Sequence, residues 1–311
     1  MEVEKQIGGA GATRPPGFPE GGLTRWQRVE QASLRVPFRV KLAVVWLAVL
    51  AVLGVLFALV QFDLGWMAEH IRFISLGIPF TLLISVSAII LAVVLAVLGS
   101  LARLSRNPIA FGLSGFYVSF FRGTPLIVQM FLIYLGLAQI GGNLQTMGYE
   151  WGGLLILEGL LAGILALGLN YGAYMTEIFR AGIQSVAHGQ AEAAQALGMS
   201  YGQMMRRIIL PQAVRVIIPP TGNEFIAMLK DSALVSFLGT VVSQMELFRR
   251  AQLTGIADFR PFEALVLAAA MYWALTTVFT FFQQRLERRM SRGYVRAGSF
   301  QLGGGAGGHA S

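Results

Sequence analysis

The chain has 311 residues, 55% of them hydrophobic and only 13% charged, against about 45 to 50% apolar and about 25% charged in an average soluble domain, which excludes an ordinary soluble protein. Lysine and arginine total 24 against 16 acidic residues, a net charge of +8, and on so apolar a chain that excess fits arginines held at the cytoplasmic membrane face rather than a polyanion site. Cysteine is absent and the histidines, His70, His188 and His309, are scattered, so disulfides, thiolate chemistry and an all-histidine metal site are excluded or improbable.

Residues 1–40 are rich in Gly, Pro and Arg, cannot bury enough apolar surface to fold alone, and are expected to form a cytosolic tail. Leu42 to Phe62 is free of charge and long enough to cross a hydrocarbon core, which needs about 20 residues at about 1.5 Å each. It is expected to be an uncleaved anchor occupying 41–66, because it begins too deep in the chain for a signal peptide. Five further spans follow in the expected order: Leu76 to Leu101 with Pro79 near its start, Leu126 to Ile140 ended by Gly141-Gly142-Asn143, Leu154 to about Met175 interrupted by Glu158, Ile208 to Leu229, and Ala264 to Phe282. Between Lys230 and Pro261 the apolar run Leu234 to Val242 predicts a partly inserted helix that does not span. Residues 291–311 end in a Gly-rich segment expected to be flexible.

Under this six-span reading, nineteen of the Lys and Arg residues fall on the side that carries both termini and five on the other. The bias predicts both termini in the cytoplasm.

One cytoplasmic segment carries more than a connection requires. In 188–211, HGQAEAAQALGMSYGQMMRRIILP, the helix formers around Glu192 stop at Gly198, a residue suited to the left-handed conformation after a helix. Ser200 followed by Gln203 has capping-box spacing, which predicts a second short helix. The small face made by Ala191, Ala193, Ala194 and Ala196 would let another protein approach closely. The plainer alternative is an interfacial amphipathic hairpin with no partner.

The order of residues in this loop resembles the EAA signature of the membrane subunits of bacterial ABC importers: Glu192-Ala193-Ala194, Gly198, Ile208 and Leu210-Pro211 stand at its spacing. Three other stretches resemble the polar amino-acid branch of these permeases: Arg122-Gly123-Thr124-Pro125-Leu126 with Gln129 and Tyr134; Asn170 to Tyr174 with Glu177, Arg180, Gly182 and Ile183; and Pro219-Pro220 with Asn223, Glu224, Phe225, Leu229, Lys230 and Asp231.

The resemblance implies an all-α integral membrane protein of the inner (cytoplasmic) membrane: a five-helix type I ABC permease core over 73–290, with one extra N-terminal transmembrane helix. It further implies a second permease subunit, identical or homologous, a dimer of separate ATPase subunits, and an extracytoplasmic amino-acid-binding protein. The loop would then couple to the ATPase as a rigid body. No cofactor is expected on this chain. Its three lysines, Lys5, Lys41 and Lys230, lack the preceding glycine that a P-loop needs to cradle phosphates, so ATP would be used by the partner.

Charged groups at membrane depth cost about 2.5 to 3.5 kcal/mol each on insertion scales, which draws attention to Glu158, Glu177, Arg180, Arg215 and Glu224. Glu177 and Arg180 have the spacing of an interfacial helix pair, and Arg215 that of a side chain snorkelling to the cytosol. Glu224 follows two prolines that free backbone carbonyls and so favour a polar cavity. Asn170, Tyr174, Asn223 and Glu224 are therefore the candidate substrate path for an amino acid, against a purely helix-packing role. An ion-gradient-driven secondary transporter is the competing function. A membrane enzyme ranks third, because HExxH and Gly-x-Ser-x-Gly are both missing.

Overall fold

The computed structural model describes residues 37–60, 62–186 and 188–290. The expected tails, up to position 36 and from 291 onward, lie outside the described residues. The chain divides after Phe62 into two units. In the first, helix α1 (Phe38–Val60) has a mean hydropathy of 2.2 over Phe38–Val55 and starts four residues before Leu42.

The second unit is built from helices throughout its described residues. Helix α2 (Leu64–Ser75) starts where the Asp63 carboxylate accepts from the Trp66 N–H at 2.9 Å, the usual device for an orphan donor at a helix start. Helix α3 (Ile78–Leu104) has Pro79 in its first turn, where the missing N–H costs nothing. Helix α4 (Pro108–Gly123) is capped by Asn107; α5 (Leu126–Thr146) follows after Pro125.

Helix α5 runs through Gly141-Gly142-Asn143 instead of ending there. The reason is packing: a Cβ on Gly141 would stand 2.5 Å from the Gly152 carbonyl oxygen, so glycine here admits the 3₁₀ segment Glu150–Leu155 against the helix. Helix α6 (Gly159–Gln184) begins later and ends later than expected, and Glu158 is its N-cap residue rather than a charge inside the span.

Helices α3 and α6 form the most intimate pair. Ala88, Ala92 and Ala96 are buried at every fourth position of α3, while added Cβ atoms at Gly168 and Gly172 of α6 would press into Leu91 and Leu95 at 2.5 and 2.9 Å. Small residues on facing ridges bring two membrane helices close enough for dispersion to hold them without a hydrophobic drive. Ile84, Met130, Leu167, Met175, Met228 and Leu238 complete this core.

After α7 (His188–Ala196) and the short α8 (Tyr201–Met204), a five-residue π turn, Met205–Ile209, leads into α9 (Leu210–Asp231). Helix α9 holds the expected fifth span, but with Arg215, Glu224, Lys230 and Asp231 along it it is not among the five described helices apolar enough to count as membrane spans by composition. The partly inserted helix expected near 234–242 is replaced by two 3₁₀ turns, Ser232–Leu238 and Val242–Gln244, before α10 (Leu247–Ala257). Gly239 between them takes φ +69°, which stops the helix there.

The N-cap of α10 is Glu246, fully buried. Its carboxylate accepts from the Phe248 and Arg249 N–H groups at 2.8 and 2.6 Å, from the Tyr272 hydroxyl at 2.6 Å, and from Ser236. Tyr272 belongs to α11 (Pro261–Met290), the last span.

Candidate functional site

Two regions hold the residues singled out in the sequence. The first is the loop 188–211. Gly198 adopts φ +76° after α7, a region that an L residue with a Cβ enters only at a cost. Ser200 and Gln203 form the expected capping box, with the Ser200 N–H donating to the Gln203 side chain at 3.0 Å and the Gln203 N–H to the Ser200 hydroxyl at 3.4 Å.

The motif residues divide by face. Ala194 is 1% exposed and packs in a cluster with Val186, Met204, Ile209, Ala213 and Ile217, with Ile208 against it. Glu192, Ala193, Gly198, Leu210 and Pro211 are exposed. The buried series Met204, Ile209, Ala213, Ile217 steps by five and then by four, because the π turn adds one residue to the helix repeat. Hence α7 is seated on the foot of α9 rather than hanging from it, with Glu192 and Ala193 turned outward.

The second region is a cleft of about 330 Å³ lined by Thr124, Pro125, Leu126, Asn170, Tyr171, Tyr174, Glu224 and Asp231. Three of the four expected residues, Asn170, Tyr174 and Glu224, meet there. Asn223 does not; it is exposed on α9 and absent from the lining, since one residue along a helix turns the side chain by about 100°.

The wall between α4 and α5 is an extended break at Thr124 and Pro125. Its polar groups are met by one buried side chain: the Gln129 amide donates to the Phe121 carbonyl at 2.8 Å, the Thr124 carbonyl at 3.0 Å and the Thr124 hydroxyl at 2.7 Å. Asn170 on α6 donates to the Phe121 carbonyl at 3.1 Å and to the Gln129 side-chain oxygen at 2.9 Å. Tyr117 of α4 adds a bond from its hydroxyl to the Leu169 carbonyl at 2.6 Å. Unpaired backbone at membrane depth is costly, and these bonds let the chain break its helix beside the cleft.

Opposite this wall, the Tyr171 hydroxyl donates to Asp231 at 2.7 Å. Glu224 is half-buried and open to the cleft, and the Arg122 guanidinium lies 5.2 Å from the centre of the Tyr174 ring, within reach of a cation–π contact. The cleft thus offers two carboxylates and a half-exposed aromatic face, with the Arg122 guanidinium held on the Tyr174 ring rather than in the lining. Such a set can hold an ammonium or a second cationic group by charge.

Sequence reasoning gave no site role to Thr124, Tyr171 or Asp231. An acidic residue at the end of a membrane helix is the signal that would have found Asp231, by the same cost that exposed Glu224.

Away from the cleft, Glu177 and Arg180 pair as expected, at 2.7 Å, and Glu177 also meets Arg103 of α3 at 3.4 Å. The Arg103–Glu177 ion pair ties α3 to α6, while the Glu177–Arg180 pair lies within α6. Among the described residues no group of three His, Asp or Glu side chains is arranged to hold a metal ion.

Comparison with known proteins agrees with this architecture. Residues 95–292 match the family described as binding-protein-dependent transport system inner membrane component. A probable amino-acid permease protein of Bacillus subtilis, YxeN, is 39% identical over 218 residues, covering 70% of this chain and 91% of that protein. The arginine transport system permease protein ArtQ of the same organism is 36% identical, covering 73% of this chain and 97% of its own length. A solved amino-acid ABC transporter, crystallised with histidines, superposes with a TM-score of 0.64 at 36% identity, over 73% of this chain and 99% of that one. With an all-helical core of this build and matches of this extent, the chain belongs to the inner-membrane permease components of binding-protein-dependent transport systems, among the amino-acid ABC permeases.

Proposed function

We propose that this chain forms the translocation path of an ATP-driven amino-acid importer, taking its energy through the loop 188–211 from a separate pair of ATPase subunits. A second permease subunit would complete the path across a two-fold or pseudo-two-fold boundary, and an extracytoplasmic binding protein would deliver the substrate. Both termini are then cytoplasmic. Residues 73–290 act as the permease domain, 41–66 as an additional anchor, and the chain itself binds no nucleotide or other cofactor.

The observation that carries this reading is the continuity of α9. Its foot is packed against Ala194 of the loop through Ile209, Ala213 and Ile217, and the same helix bears Glu224 and Asp231 in the cleft. A push on the outward face at Glu192 and Ala193 is therefore delivered to the cleft wall along one rigid element. The cleft's two carboxylates favour a substrate with an amino group or a cationic side chain, in keeping with the arginine transport named for one relative.

The test is reconstitution of this permease with its ATPase and binding protein in proteoliposomes, followed by uptake of radiolabelled amino acids. Uptake that needs ATP and the binding protein supports the reading. Uptake by the permease without the ATPase, driven by an ion gradient, would overturn it and restore the secondary-transporter alternative.

A further inference from the structure

Outside the cleft and the coupling loop, α9 and α11 enclose a smaller notch of about 140 Å³, lined by Gly222, Phe225, Ile226, Phe279, Phe282 and Leu286 with Gln283 at its floor. The two helices run antiparallel. Phe225 meets Phe279 edge to face at 5.2 Å, and the Gln283 amide donates to the Pro219 carbonyl at 2.7 Å, so residues further along α11 face residues further back along α9. Gly222 is required for the floor, since a Cβ there would meet the Gln283 side chain at 1.8 Å.

The apolar notch is followed by charge. Arg215 lies seven residues before Gly222 and Arg289 seven residues after Phe282, two helical turns in each case, which keeps both on the stripe that lines the notch. Both are exposed, and the antiparallel pairing brings them to the same level. At 30 residues α11 is about 45 Å long against a hydrocarbon core of about 30 Å, so its last turns reach the headgroup layer. An apolar, aromatic-walled notch inside the bilayer with two guanidinium groups at its mouth matches one occupant in both shape and charge: an acyl chain joined to a phosphate.

We propose that the groove between α9 and α11 is a binding site for an anionic phospholipid, its acyl chain in the notch beside Phe282 and Leu286 and its phosphate between Arg215 and Arg289. Guanidinium groups are suited to phosphate through paired N–H donors. The site lies on the helix that carries the cleft carboxylates. The proposal needs only that α9 and α11 cross the bilayer, not the amino-acid substrate or the ATPase coupling.

The test is native mass spectrometry and thermal unfolding of the assembled permease in nanodiscs of phosphatidylcholine alone or with phosphatidylglycerol. Wild type should retain phosphatidylglycerol and gain stability with it. Arg215→Gln with Arg289→Gln should weaken its retention about thirtyfold, at about 1 kcal/mol for each arginine near the surface, and Leu286→Trp should lower it by filling the notch. Arg106→Gln with Arg206→Gln, the same loss of charge elsewhere, should leave it unchanged. Equal retention by the two charge variants, equal stability of wild type in both lipids, or saturation of the effect by inorganic phosphate in phosphatidylcholine alone would each overturn the proposal.

Discussion

Asn170 of α6 gives its side-chain amide to the side-chain oxygen of Gln129 on α5 across 2.9 Å. A residue expected to face substrate therefore spends its donors on the frame of the site, and what it offers the cleft is the position of the neighbouring wall. Gln129→Leu and Asn170→Leu should each lower stability by about 1 to 3 kcal/mol, the cost of leaving buried acceptors unmet. The double variant should fall short of the sum, because the two groups share one network. Thermal unfolding of the purified assembly measures both points; additive losses would dissolve the network.

The joint of the coupling loop is a backbone matter. Nothing lies within 4 Å of a Cβ built on Gly198, yet its φ is +76°, so Gly198→Val should cost about 1 to 2 kcal/mol through conformation alone, whereas Gly198→Asn, which tolerates that region, should cost less. Glu192→Lys should leave the hairpin folded, since Glu192 is exposed. Both Gly198→Val and Glu192→Lys are expected to reduce uptake and the response of the ATPase to loaded binding protein while insertion stays normal. Full transport by both would remove the coupling role from this loop.

In the cleft, Glu224→Gln should shift selectivity from cationic toward neutral amino acids by about tenfold, equivalent to about 1.4 kcal/mol, with ATPase association preserved. Tyr171→Phe withdraws the hydroxyl that donates to Asp231 and leaves that carboxylate free for a cation, which should tighten cationic substrates or slow their release. Competition between labelled arginine and glutamine during uptake reads both effects. An unchanged preference in both variants would move the substrate elsewhere.

Burial holds the Glu246 carboxyl above the ordinary glutamate range, and the hydrogen bonds from Ser236, Tyr272, Phe248 and Arg249 offset part of that rise. The folded protein then keeps a proton that the unfolded chain has released. Its contribution is complete below the ordinary glutamate value and is lost as pH climbs through the raised one. Stability should accordingly decline over that window, and Glu246→Gln should flatten the decline while costing about 1 kcal/mol for a weakened helix cap. A slope identical to wild type would assign the pH dependence to other groups.

Much of the molecule can be read without coordinates, for reasons that particular residues make plain. Spans such as Ile78–Leu104 are legible because length and apolarity alone decide them, and the Gly198 turn and Ser200 cap because local chemistry does. What stays hidden is set by distant contact. Gly141 looks like a stop and is instead a place where Gly152 approaches; Glu158 looks like a charge in a span and is a cap. Asn223 and Glu224 look equivalent until the phase of α9 separates them. Asp231 joins the cleft only because Tyr171, sixty positions earlier, comes to meet it.

The five-residue turn at Met205–Ile209 amounts to a setting of angular phase. In a regular α-helix, residues five apart point about 140° away from each other, and Met204 and Ile209 could not both enter the same cluster. The wider π turn takes up that extra residue, so that Ala194 is inward and Glu192 outward. The direction in which this loop presents itself is therefore held by the cluster on the foot of α9, with the wide turn taking up the extra residue. With one residue fewer before Ile209, a regular α-helix would hold the same residues inward at a step of four, so the wide turn lets the motif carry an extra residue there without changing the side that it shows to a partner.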